Sequence, residues 1–109
     1  MPWIKDRNPQ LDIPKATSII IEYLFKMRTY NTDIEHKGSI YHIQTQDMGP
    51  QANYVESIIY KSGKVLASRK TFYTSFLNNP DIKNKIVQIL EKQHNEILAE
   101  VSTGKFDGF

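Results

Sequence analysis

The sequence contains no cysteine. Disulfides, thiol nucleophiles and thiolate metal ligands are therefore excluded together. Long apolar runs are also missing. None exceeds the three residues of Ile19-Ile20-Ile21, far short of the roughly 20 that span a bilayer. The start, Met1-Pro2-Trp3-Ile4-Lys5-Asp6-Arg7, lacks the apolar core of a secretory signal. These absences lead us to expect a cytoplasmic protein with no membrane partner. No G-x-G-x-x-G, Walker A, G-x-S-x-G or H-E-x-x-H pattern occurs, so the usual phosphate loops, nucleophile elbow and zinc helix have no sequence signal.

What remains fits one small α+β domain. The chain has 109 residues, 39% hydrophobic and 24% charged, which is enough for one core and too few for two. Mean hydropathy is −0.49. Fourteen basic residues against twelve acidic ones leave a charge of +2. The basic residues are scattered rather than striped, and the densest group is Arg69-Lys70 with Lys61 and Lys64. A solvated strand face accounts for that group more simply than a nucleic-acid patch.

Residues 1–16 carry three of the five prolines and no periodicity, and read as a tail. Residues 17–29 read in two ways. As a helix, Ile20, Tyr23, Leu24 and Met27 share a face; as a strand, Ile19, Ile21, Tyr23, Phe25 and Met27 do. We favour a helical appendage, because the alternation breaks at Thr29-Tyr30.

From Tyr30 onward four strands are expected, over 30–36, 39–47, 54–60 and 65–74. Lys37-Gly38 marks a tight turn, Lys61-Ser62-Gly63-Lys64 a hairpin turn, and Met48 through Asn53 a loop punctuated by Gly49-Pro50. Short connections predict an antiparallel meander. A helix of about 23 residues follows, with Asn79 as N-cap, Pro80 as its first residue and Gly104 at its end. Ile82, Ile86, Ile89, Leu90, Ile97, Leu98 and Val101 mark one face of it, an obvious cover for one side of the sheet.

His94 lies within that stripe, and the simpler reading is a histidine hydrogen-bonded to the sheet. Along 41–47, alternation sends Tyr41, Ile43, Thr45 and Asp47 one way and His42, Gln44 and Gln46 the other. Ile43 belongs in the core, so His42 and Gln44 are expected on the open face. In the fourth strand, Ser68 and Lys70 alternate with Arg69, Thr71 and Tyr73. Either parity adds a basic or hydroxyl row to the open face.

The strings Tyr41-His42-Ile43-Gln44-Thr45-Gln46-Asp47, Leu66 through Tyr73, and Gln93-His94 through Asp107 resemble a group of small uncharacterised bacterial proteins. Their pattern is Y-H-[IV]-Q-T-E-D, then S-[RK]-[RK]-T-x-Y, then a helix with E-Q-H. The resemblance spans about residues 30–107 and departs at Gln46, where the pattern has Glu. It implies no activity. Together with the sheet-face reading it makes His42, Gln44, Thr45, Asp47, Arg69, Lys70, Thr71, Tyr73 and His94 the candidate binding residues. No catalytic set, cofactor or metal is expected. The function expected first is a non-enzymatic protein-interaction or regulatory module acting through its sheet face, edges and appendage. A protein partner, or a homodimer through 17–29, would occupy it. The alternative is a ligand or nucleic-acid binder on the polar sheet face. A weaker one is a small hydrolase or metal enzyme using His42, Asp47 and His94.

Overall fold

A computed structural model of the chain describes residues 29–109. Four strands form one antiparallel sheet in the order β1-β2-β3-β4, with β1 Thr29–His36, β2 Ser39–Asp47, β3 Tyr54–Lys61 and β4 Lys64–Phe72. A short 3-10 turn over Thr74–Phe76 leads to α1, Ile82–Ser102, the one α-helix among the described residues. The expected α+β meander with a C-terminal helix is thus the observed architecture. The tail and appendage lie outside the described residues, save Thr29, which is the first residue of β1 and pairs with Gln46.

Turn chemistry sets the register. Lys37 and Gly38 take φ of 50° and 82°, and Ser62 and Gly63 take 52° and 82°. Two successive positive φ values make a two-residue turn whose twist matches that of the flanking strands. The turns hold His36 opposite Ser39 and Lys61 opposite Lys64. From there the alternation buries Tyr41, Ile43 and Thr45 of β2 with Val55, Ser57 and Ile59 of β3. The register shifts between Ile59 and Tyr60, where β4 inserts a bulge. Leu66 and the adjacent Ala67 therefore both pack against the core.

The helix begins later than the sequence suggests. Asp81, not Asn79, is its N-cap. Asn79 instead builds the preceding turn: its Oδ1 accepts from the Asp81 N–H at 2.8 Å, and its carbonyl from the Ile82 N–H at 3.1 Å. Pro80 sits inside that turn. At the other end, Gly104 has φ +90°. The Gly104 N–H bonds the Val101 carbonyl at 3.1 Å and the Lys105 N–H the Glu100 carbonyl at 3.0 Å, the paired closure of a Schellman motif. This turns the chain back so that Phe106 enters the core.

Leu90, Ile97 and Val101 of α1 are buried against the sheet, each contributing about 1.5–3 kcal/mol by removal from water. The core falls into two clusters. One holds Tyr41, Ile43, Ile59, Ile97, Val101 and Phe106; the other holds Val55, Tyr73 and Leu90. Between Leu90 and Ile97, at helical spacing, lie the buried polar pair Gln93 and His94. Among the described residues, no helix is long and apolar enough to cross a membrane.

Candidate functional site

The covered face of the sheet holds a polar belt between the two apolar clusters. Thr45 and Ser57 stand opposite each other on β2 and β3, their hydroxyls 2.6 Å apart. His94 Nδ1 lies 2.8 Å from Thr45 Oγ1 and its Nε2 2.8 Å from Thr32 Oγ1. Gln93 Nε2 donates to Ser57 Oγ at 2.8 Å and to the Arg69 carbonyl at 3.1 Å, and its Oε1 accepts from Thr71 Oγ1. The belt thus runs from Thr71 on β4 through Gln93, Ser57, Thr45 and His94 to Thr32 on β1.

Proton counting gives the belt a direction. Ser57 already accepts from Gln93, and its own proton needs an acceptor. With Ser57 donating to Thr45 and Thr45 donating to Nδ1, each of these buried protons has a partner, and Nε2–H then donates to Thr32. A second proton on the imidazole would collide with the one Thr45 donates. Burial, then the charge of His42, holds the His94 pKa below the ordinary histidine value. The ring is a neutral structural link between helix and sheet.

Two further fastenings line this face. Tyr73 donates to Asp47 Oδ1 at 2.6 Å and to the Gly49 carbonyl at 3.1 Å, and the Gly49 N–H donates to the same Asp47 oxygen at 3.0 Å. These bonds tie the 48–53 loop to the end of β4. Arg69 donates two bonds to Glu100 of α1, at 3.1 and 2.6 Å. That pairing raises the Arg69 pKa and lowers that of Glu100.

The structure divides the nine candidate residues between two faces. Thr45, Asp47, Arg69, Thr71, Tyr73 and His94 belong to the helix-covered side, and their polar groups bond within the protein. His42, Gln44 and Lys70 lie on the open side. His42 and His94 are therefore on opposite faces of β2, and Asp47 is committed to Tyr73 and Gly49. The His42, Asp47 and His94 grouping forms no shared site, which corrects the expectation of a hydrolase or metal centre built from them. Among the described residues, no three His, Asp or Glu side chains are placed to hold a metal ion.

The open face has its own chemistry. His42 Nδ1 lies 2.5 Å from Asp33 Oδ1 across the β1–β2 pair. The His42 ring sits 5.6 Å from that of Tyr60. At the other end of the sheet, Tyr54 and Phe72 rings lie 5.0 Å apart, and Lys70 Nζ is 4.7 Å from the Tyr54 centroid. Ile40, Val65 and Phe72 are 59%, 67% and 59% exposed. Asp33 and Glu35 stand at the β1 flank of the face, which is acidic, and Lys70 stands on the β4 side opposite Glu56 of β3.

The sequence reading missed Ser57, Gln93, Thr32 and Glu100. A signal for the first two existed: Ser57 alternates with Val55 and Ile59, and Gln93 shares the stripe of Leu90 and Ile97. The exposed residues Ile40, Val65 and Phe72 were missed as well. No family model, curated protein or solved structure matches this chain.

Proposed function

We propose that the chain is a non-enzymatic, cytoplasmic protein-interaction module, and that its working surface is the open face of the sheet. One contrast carries this reading. The Thr71–Gln93–Ser57–Thr45–His94–Thr32 belt of the covered face is bonded within itself, while Ile40, Val65 and Phe72 stand largely in solvent on the other. Large apolar side chains grouped on one face mark interaction surfaces. The acidic flank describes the partner: a protein with an apolar centre that is basic where it meets Asp33 and Glu35.

The test is affinity capture from native cells with the full chain and with a Val65→Lys/Phe72→Lys variant. Both substituted side chains are already exposed, so the fold tolerates the change. A protein captured by the parent and absent from the variant supports the reading. The same proteins captured by both contradict it.

A second reading rests on the Lys70–Tyr54–Phe72 group, which offers a cation beside two adjacent, mutually tilted rings and so suits single-stranded nucleic acid. Arg69 weakens it, because its guanidinium turns to Glu100 on the covered side. Fluorescence polarisation with single-stranded RNA and DNA decides this. Binding that falls steeply with salt would favour nucleic acid over a protein partner.

A further inference from the structure

We propose that the outer edge of β1, which pairs with no other strand among the described residues, pairs with β1 of a second copy of this chain, joining two four-stranded sheets into one of eight. The two edges of the sheet are not alike. β4 is bulged at the Ile59/Tyr60 shift and carries Lys64 and Lys70, the devices by which proteins blunt an edge. β1 has neither. Its eight residues, Thr-Tyr-Asn-Thr-Asp-Ile-Glu-His, pair with β2 in unbroken register from Thr29↔Gln46 to His36↔Ser39. They include no proline and no lysine.

The hairpin fixes which peptide groups are free. The residues flanking a two-residue turn form a hydrogen-bonded pair, and bonded pairs then alternate along the ladder. Tyr30, Thr32, Ile34 and His36 therefore direct their backbone groups to β2. Thr29, Asn31, Asp33 and Glu35, all exposed, direct theirs outward.

Charge then selects the partner strand and its register. The acids of β1 lie in its C-terminal half, and the outward residues of its N-terminal half, Thr29 and Asn31, are neutral. An antiparallel second copy sets one half against the other. With the two-fold axis at Thr32, Asp33 stands opposite Asn31 of the second copy, Glu35 opposite Thr29, and half-buried Tyr30 opposite Ile34. An axis at Asp33 would oppose two aspartates, which destabilises. An axis at Asn31 would leave Glu35 beyond the partner's paired residues. A shift by one residue would turn one copy's covered face outward. The symmetric arrangement keeps both helices on one side and makes the two open faces continuous. It does not depend on the identity of what binds the open face.

Analytical ultracentrifugation of the full chain over a range of concentrations tests this, with three variants of Asn31. Asn31→Pro removes an outward N–H and leaves the β1–β2 bonds intact. Asn31→Lys places a cation opposite Asp33 at two symmetric positions, and Asn31→Asp places an anion there. The parent is expected to dimerise and Asn31→Pro to be monomeric. The dimer Kd should tighten about threefold or more with Lys and weaken as much with Asp. Should Asn31→Pro fail to melt cooperatively, the Lys and Asp variants decide. A parent that stays monomeric at millimolar concentration overturns the proposal. So does equal dimerisation of the Lys and Asp variants, which would move the contact elsewhere, for example to residues 17–28. Neither result bears on capture of another protein by the open face.

Discussion

His94 Nδ1 and Thr45 Oγ1 lie 2.8 Å apart in the buried layer between helix and sheet. The contact gives the helix one rotational setting on the sheet. Turning α1 so that another residue met Thr45 would take His94 from the Thr45 hydroxyl and Gln93 from that of Ser57. An unpaired buried polar group costs about 1–3 kcal/mol. Apolar packing supplies most of the attraction here, and the polar belt supplies orientation.

Replacing His94 should therefore cost more than its packing area suggests. His94→Ala is expected to lower unfolding stability by about 2–4 kcal/mol, because it removes the acceptor of the buried Thr45 proton and the partner of Thr32 and opens a cavity. Urea denaturation measures it. A loss under about 0.5 kcal/mol, the range of ordinary surface substitutions, would show the belt to be incidental.

Stability should also fall in mild acid, and the sign follows from His94. Its folded pKa lies below the ordinary value, so the unfolded chain takes up the proton first. The contribution is full above about pH 6.5 and is lost as the pH falls from there through the folded pKa. Thermal melts between neutral and mildly acidic pH should show this decline, and it should be smaller in His94→Gln. A parent whose stability is flat across that window would contradict the assignment.

Much of this arrangement was legible in the sequence. Lys37-Gly38 and Lys61-Ser62-Gly63-Lys64 marked the hairpins because glycine takes a positive φ without steric cost; the second positive φ, at Lys37 and at Ser62, had no such signal. The helical stripe placed His94 toward the sheet. Arg69 was harder to place, because alternation gives parity along a strand but not which parity is covered. The bulge at Leu66 resets that parity within β4, and no residue there announces it. Asn79 misled for a different reason. A side chain that caps a helix also closes an Asx turn, and here it does the second, two residues before the Asp81 cap. The polar belt needed pairing information: Thr45 and Ser57 meet through register, although they are 12 residues apart.

Gly104 should resist substitution. Its φ is +90°, and an added Cβ would lie 2.8 Å from Asp107 Oδ2, an oxygen that accepts from Lys37 Nζ at 2.9 Å. Gly104→Ala is expected to destabilise by about 1–3 kcal/mol. Adding Asp107→Ala removes the clash but not the backbone strain, so the second substitution should recover part of the loss. Full recovery would show that strain at Gly104 is negligible.

The Arg69–Glu100 pair should couple measurably, because both partners are mostly screened and two bonds are formed. Their side chains are 31% and 25% exposed. A double-mutant cycle with Arg69→Met and Glu100→Gln is expected to give about 0.5–1.5 kcal/mol. Glu100 is held below its ordinary pKa chiefly by Arg69. Its contribution is therefore present above about pH 4.5 and lost in stronger acid, below the window of His94. Zero coupling at neutral pH would reduce the pair to a surface contact.

The central claim is that the open face is the working surface, and site-specific photocrosslinking in native cells tests it most directly. A benzophenone amino acid replaces Phe72 on the open face or Gln88 on the exposed side of α1. The account predicts a discrete, nuclease-resistant protein adduct from position 72 and none from position 88. Adducts from position 88 alone, or a nuclease-sensitive adduct at 72, would contradict it.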